Sequence, residues 1–267
     1  MDKQRRALEG VARNLSRQVS DGTLLGLGSG STVAALLDEL APMIITKTRR
    51  VAGVPTSTQI EMAASRNGIA LAPFTGAVDL VIDGADQVDS DLNMVKGGGG
   101  ALLREKVVMS SAKAVAIVAS EDKFTSRLCE KGVRVPIEVV PLARQSAKVK
   151  LSLLGGVPEE RLLPKGYPYF TENGNLILDT MFEPIEDPKS FELRLKGVPG
   201  VVEAGIFTRK PITVFKLRPM ERLRSSKGAS KLIIPFQKRL QTRWPETQVT
   251  SRPRSIRTSC RSRTSFR

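Results

Sequence analysis

LVIDGADQVDSDLNMVKGGGGALLREK, residues 80–106, decides the reading of this chain. Leu80, Val81 and Ile82 form a short apolar run that reads as a buried strand stopping at Asp83. Asp83, Asp86, Asp89 and Asp91 then crowd the region past the strand's carboxyl end, where open α/β sheets hold their ligands. Gly97 to Gly100 allow the backbone to approach a ligand closely, and the apolar ALLREKVVM behind them starts a helix. The spacing makes this an active-site segment, with Lys96 and Glu105 as its reactive pair.

The same strand, loop and helix order recurs outward from that segment. Upstream, Leu24 to Leu27 is a strand, GSGST a tight loop and Val33 to Leu40 a helix that Ser31 or Thr32 is expected to cap. Val51 to Val54 is the next strand, and TSTQIEMAASRNG reads as a capped helix ending at Gly68. An amphipathic helix over residues 2–19 precedes all of these, with Leu8, Val11, Ala12, Leu15 and Val19 on one face. Downstream, Ala101 to Ala112 is a helix and Ala114 to Ala119 a strand. Strands alternating with helices predict an α/β fold with a parallel sheet covered on both faces.

After about Lys131 the pattern changes. VRVPIEVVP, NGNLILD and VVEAGIF read as strands, and LARQSAKVKLSLLGG and DPKSFELRLKGVPG as helices, which suits a smaller α+β unit packed on the first. From Leu217 onward periodicity fails, and the Ser/Arg/Thr/Pro-rich text has little to bury, so the end of the chain is expected to be disordered.

Composition narrows the chemistry. Histidine is absent from the 267 residues, which removes imidazole acid/base catalysis, Ser-His-Asp triads and imidazole metal sites. Cys129 and Cys260 form neither a disulfide framework nor a zinc spacing. Proton transfer is therefore left to carboxylates and lysine. The net charge of +15 is confined to residues 209–267, which hold 17 Lys+Arg and 2 Asp+Glu, while the rest balances at 25 of each. The body of the chain thus has no basic character to suggest nucleic acid, and only the tail invites that partner. So abrupt a change of composition fits either a genuine basic tail or a reading-frame shift. No run approaches a membrane span and MDKQRRALEG lacks an apolar leader core, so the expectation is a cytoplasmic protein without a membrane partner.

Three constellations carry chemistry. GLGSGST, residues 26–32, offers hydroxyls and backbone N–H groups at a helix start, which suits a phosphate, although a tight strand-to-helix turn needs no more than the same residues. It is neither a GxGxxG fingerprint nor a Walker sequence. DGAD, Asp83 to Asp86, sets two carboxylates across a turn, able to bind a divalent metal or, more readily here, sugar hydroxyls. Asp89 and Asp91 fit solvated loop charges better. In KGGGGALLRE, Glu105 lies about one turn inside the helix, and periodicity does not fix whether it faces a pocket or solvent.

GLGSGST, DGADQVD, KGGGGALLREK and SEDK, in this order and spacing, resemble ribose-5-phosphate isomerase of the A type. The likeness continues through PIEVVPLA, NGNLILD and GVPGVVEAGIF and covers roughly residues 5–208. It implies a Rossmann-like parallel-sheet catalytic domain over 1–130, with room for the chain to rejoin it at about 205–216. A small α+β domain over 131–204 would take part in oligomer contacts, and 217–267 would be an aberrant or disordered basic tail. By resemblance, Glu105 is the proton acceptor, Lys96 the substrate lysine, and Asp83 and Asp86 the sugar-contacting aspartates. Ser29, Gly30, Ser31 and Thr32 would form the phosphate loop. Gly84, Ala85, Gly97, Gly98, Gly99 and Lys123 would complete the substrate contacts. The resemblance implies a pentose 5-phosphate substrate, no cofactor, no metal and a homodimer or homotetramer. Two departures stand out: the family's first-helix lysine has only Lys3, Arg5 or Arg6 to match it, and the family's ending is lost beyond about Val214. Two rival readings are a CoA-transferase-like enzyme and a sugar-phosphate-sensing regulator whose basic tail binds DNA.

Overall fold

The structure, a computed structural model, describes residues 3–46, 49–208 and 213–218. In chain order its first half comprises α1 (Lys3–Ser16), β1 (Leu24–Leu27), α2 (Ser31–Ile44), β2 (Ala52–Pro55), α3 (Thr58–Arg66), β3 (Ala70–Leu71), β4 (Val78–Gly84), β5 (Gln87–Val88), β6 (Met94–Val95), α4 (Leu102–Ser110) and β7 (Ala112–Ser120). Its second half comprises β8 (Val135–Val139), α5 (Arg144–Leu153), β9 (Val157–Glu160), β10 (Leu176–Met181), α6 (Pro188–Lys196), β11 (Val201–Ala204), β12 (Ile206–Phe207) and β13 (Thr213–Leu217).

Six strands form one parallel sheet in the order β13-β7-β4-β1-β2-β3. Both its faces are buried, as parallel sheets require. On β4, Leu80 and Ile82 join a core with Leu8, Leu15, Leu36 and Ile60 from α1, α2 and α3. Val78 and Val81 face the other way, onto Leu102, Val108 and Met109 of α4. β4 runs past its expected stop, through Asp83 to Gly84, because Asp83 pairs with Ile117 inside the ladder. The chain leaves β1 toward β2 on one side while β4 flanks it on the other, so strand order reverses there and a crevice opens at the strands' carboxyl ends.

α2 corrects one detail of capping. Gly30 is its N-cap at φ 119°, a backbone region that glycine alone enters freely, and Ser31 is already helical. The hydroxyls of Ser31 and Thr32 are thereby left without a capping duty. At α3 the expected cap is present, with Ser57 accepting from the Ile60 N–H at 3.4 Å.

The second sheet is antiparallel, β11-β8-β10-β9, and shares a core with α5 and α6 through Ile137, Leu151, Leu178 and Leu195. VVEAGIF is not one strand. It breaks at Gly205, sending β11 to this sheet and β12 to a small third sheet, β12-β6-β5. Gly205 donates to Pro136 O at 2.8 Å and accepts from Lys96 N at 2.9 Å. A Cβ there would fall 2.3 Å from the Lys96 carbonyl oxygen, so only glycine allows this approach. Lys106 ties the same region to α4: its ammonium contacts Glu192, Glu203 and the carbonyls of Ala204 and Ile206 at 2.6–2.9 Å.

β13 pairs with β7 along its whole length, with Phe215 and Leu217 buried, so the loss of periodicity begins after Leu217 rather than at it. The basic stretch beyond residue 218 lies outside the described residues. Among the described residues no helix is long and apolar enough to cross a membrane.

Candidate active site

The ends of β4, β6 and α4 bring Asp83, Lys96 and Glu105 together in the interior. Their relative exposures are 0%, 2% and 4%, and groups this costly to desolvate persist only when paired. Lys96 Nζ lies 2.9 Å from Asp83 Oδ1 and 3.1 Å from Glu105 Oε2, and donates to Gly84 O at 2.7 Å. One cation thus faces two carboxylates. Burial, reinforced by the Glu105 charge and opposed by Lys96, pushes Asp83 up to about 7. Burial works against the Lys96 ammonium, but the charges of Asp83 and Glu105 outweigh it and hold its pKa above the ordinary lysine range.

Among the described residues, two oxygens of this cluster accept no hydrogen bond: Asp83 Oδ2 and Glu105 Oε2, the latter paired with Lys96 as an ion pair. Glu105 Oε1 accepts from the Ser29 N–H at 3.3 Å, which joins α4 to the loop after β1. The same loop passes Asp83 with no room to spare, because a Cβ on Gly28 would fall 2.0 Å from the Asp83 carboxyl carbon.

The remaining residues of the sequence reading divide around this centre. Gly84 and Ala85 contribute carbonyls, with Ala85 O accepting from Lys123 Nζ at 2.8 Å, so two lysines hold the DGAD turn by its backbone. Asp86 takes the Gly98 N–H at 2.8 Å. The two aspartates therefore serve different partners instead of sharing one. Gly97 sits at φ 106°, where a Cβ would meet Leu102 at 2.9 Å, while Gly98 and Gly99 are exposed. On the other side of Glu105, Ser29 Oγ lies 2.8 Å from Thr56 Oγ1 and 2.6 Å from Ser57 Oγ, and the Gly30 N–H donates to Gln59 at 3.1 Å. Ser31 and Thr32 stand at the start of α2, so the four loop residues cluster at one helix N-terminus.

One expectation changes and one open orientation is fixed. Asp89 is 6% exposed and is no solvated charge; its carboxylate takes the N–H groups of Asp91 and Asn93 and the Asn93 amide, building the turn between β5 and β6. Glu105 is buried in the cluster, which resolves the orientation that periodicity left open. Arg5 is engaged on the surface with Glu39 at 2.6 Å. Cys129 is buried and its thiol is pushed up to about 12 by burial, which makes it a poor nucleophile at neutral pH.

Other residues at the site were missed in the sequence reading. Thr56, Ser57 and Gln59 stand against the phosphate-type loop, and the strand–VPTST–helix pattern that repeats GLGSGST was the available signal. Glu172 reaches from the turn before β10 to the Thr58 N–H at 2.7 Å and to Arg104 at 2.6 Å. That turn is anchored by buried Glu138, which accepts from Thr171, Asn173 and Asn175 at 2.9–3.1 Å. No local pattern announces either carboxylate.

Comparison with known proteins shows the family. The model of the family Ribose 5-phosphate isomerase A (phosphoriboisomerase A) matches residues 52–217. The chain belongs to the ribose 5-phosphate isomerase A family. Ribose-5-phosphate isomerase A of Methanosarcina acetivorans is 46% identical over 192 residues, covering 71% of this chain and 81% of that protein. The solved ribose 5-phosphate isomerase A of Methanocaldococcus jannaschii is 36% identical with a TM-score of 0.74, over 79% of this chain and 94% of the other. A solved D-ribose-5-phosphate isomerase in complex with phospho-erythronic acid is 34% identical with a TM-score of 0.75, over 80% and 94%.

Asp83 gives this family member a testable pH signature. Its folded pKa lies above the carboxylate's ordinary 3.8, so the folded state holds this proton more tightly than the unfolded chain. The stability it contributes is complete below pH 3.8 and is lost as pH rises through about 7. Asp83→Asn, which stays neutral, removes that slope. The Tm advantage of the parent over the variant is expected to shrink between pH 4 and pH 7; an advantage that grows over this interval would refute the assignment.

Proposed function

We propose that the chain interconverts D-ribose 5-phosphate and D-ribulose 5-phosphate through an enediol(ate), in the cytoplasm. The observation that carries this reading is the buried Lys96 ammonium flanked by two carboxylates, each with an oxygen that accepts no hydrogen bond among the described residues, beside a Ser/Thr loop at a helix N-terminus. Isomerising an aldose to a ketose moves one proton between C1 and C2 and another between their oxygens. Glu105 takes the proton from C2 and returns it to C1, a step that suits a carboxylate whose free oxygen is not already hydrogen-bonded. Lys96 supplies positive charge at the oxygen where negative charge develops, in an interior where that charge is poorly screened. Asp83, able to carry a proton near neutral pH, and Asp86 hold and relay the hydroxyl protons and assist ring opening.

Ser29, Gly30, Ser31 and Thr32 anchor the phosphate, so that binding energy remote from C1 and C2 positions the reacting carbons. Gly84, Ala85 and Gly97 to Gly99 line the sugar, and Lys123 fixes the DGAD backbone beneath it. Phospho-erythronic acid, the ligand of a solved relative, likewise joins an acid group to a phosphate. The separation of the sheets, with β12 on β6 and β13 on β7, supports a catalytic domain over 1–130 rejoined by about 205–216, with a small domain over 131–204. Leu142, Leu153 and Leu193 of the latter are 98%, 81% and 66% exposed, which supports association into a homodimer or homotetramer.

An assay of ribose 5-phosphate conversion on the purified chain, with a chelator present, tests the reading. Turnover that persists in chelator is expected. Absence of turnover with pentose phosphates, together with activity on an acyl-CoA, would replace it with the transferase reading.

A further inference from the structure

The glycine loop after Lys96 is held from outside the parallel sheet, by a residue that the chemistry above does not use. Arg161 follows β9, and its guanidinium is forked onto Asp179 of β10, Nε to Oδ2 at 2.8 Å and Nη2 to Oδ1 at 2.5 Å. The remaining nitrogen, Nη1, donates to the carbonyls of Gly97 and Gly98, both at 3.0 Å. Tyr169 Oη takes up the next carbonyl, Gly99 O, at 3.3 Å, and its ring centroid lies 5.7 Å from the Arg161 guanidinium carbon. The backbone of Arg161 is itself fixed, its N–H on Ile177 O at 2.9 Å and its carbonyl accepting from Tyr169 N at 3.0 Å. Arg161 is therefore a rigid arm of the antiparallel sheet with no freedom left at its tip.

Carbonyl and N–H of one trans peptide point in opposite directions. Holding Gly97 O toward Arg161 turns the Gly98 N–H away from it, and that N–H meets Asp86 Oδ2 at 2.8 Å. Holding Gly98 O in the same way turns the Gly99 N–H away too, and no acceptor within the described residues receives it. Glycines have no side chain to fix such planes, so an external donor must set them.

We propose that Arg161, braced by Asp179, is a positioning residue for isomerisation: it orients the Gly97–Gly98 and Gly98–Gly99 peptides so that one N–H holds Asp86 and the next is presented to a substrate oxygen. This rests on the isomerase reading of the site. The antiparallel sheet thereby acts on the reaction without touching the reacting carbons.

Arg161→Met is expected to lower kcat/KM for ribose 5-phosphate about 50-fold, the scale of a loop misplaced by about 1 Å. The Ki of inorganic phosphate as a competitive inhibitor should stay within about twofold, because the loop at 29–32 is untouched, whereas a general distortion of the site would lower kcat/KM and raise Ki together. Amide exchange at Gly98 should become about tenfold faster in the variant, since its acceptor geometry is no longer enforced. Guanidinium chloride at millimolar concentration should restore part of the activity of Arg161→Ala. Where Arg161→Met does not fold, Asp179→Asn decides, with an expected loss of about tenfold in kcat/KM at a retained Tm. A folded variant with kcat/KM within about threefold of the parent, or with unchanged Gly98 exchange, overturns the proposal. A parent chain inactive on ribose 5-phosphate would instead sink the isomerase reading, while Gly98 exchange, which needs no substrate, would still judge Arg161.

Discussion

Glu105→Gln is expected to lower kcat by about 1,000-fold, within the range that a positioned general base contributes, and to leave KM within about threefold. The amide keeps the shape of the side chain and the acceptor for the Ser29 N–H, so the loop after β1 retains its contact at 3.3 Å. It loses the basic oxygen that now lies without a hydrogen-bond donor beside Lys96. On the proposed reading, ground-state binding depends on the phosphate loop and the DGAD turn, and the glutamine leaves the contact with Ser29 of that loop in place. The Tm of the variant should not fall, because one carboxylate is removed from a buried cluster in which two face a single cation. Steady-state kinetics with ribose 5-phosphate, alongside thermal unfolding, check both halves. A kcat within tenfold of the parent would remove Glu105 from the base role.

Why Glu105 needed the structure, while the sheet did not, has a physical explanation. Leu24 to Leu27 and the run around Leu80 to Ile82 were readable as strands because a parallel sheet buries both faces and leaves continuous apolar text. The helices of the first half announced themselves by spacing, as with Leu8, Val11 and Leu15 of α1. β5 and β6 are two residues each, and β9 reads VPEE, so neither length nor polarity distinguished them from loops. The break of VVEAGIF at Gly205 was equally hidden. It is caused by contact with the Lys96 and Pro136 carbonyls, which periodicity does not encode.

The site shows the same division. DGAD, KGGGG and the serine loop are contiguous in sequence, so their composition pointed to them, and the family resemblance placed them in roles. Asp89 read as a surface charge because an Asx-type turn that buries its carboxylate looks, in sequence, like any acidic loop. Arg161 meets its loop across 64 residues and Glu172 meets Arg104 across 68, so their meaning depends wholly on how the second sheet docks.

Lys96→Met is expected to abolish turnover and also to destabilise the fold, and the second effect separates it from Glu105→Gln. Methionine fills the volume of the lysine stem but leaves Asp83 and Glu105 facing each other in the interior without their cation. Removing one partner of a buried ion pair costs about 3–5 kcal/mol, because the stranded charge has neither water nor counter-ion. For a chain of this size that corresponds to a fall in Tm on the order of 10 °C. Protonation offers Asp83 an escape, and losing Lys96 raises its proton affinity further, since the lysine charge was holding that affinity down. The folded variant therefore binds protons more tightly than its unfolded chain, and its stability declines as pH rises. The loss of Tm relative to the parent should accordingly be larger at pH 8 than at pH 5. Thermal unfolding of both proteins at the two pH values measures this directly. A deficit that is the same at both would mean that the cluster is not the electrostatic unit its distances describe, and that Lys96 stabilises the fold through packing alone.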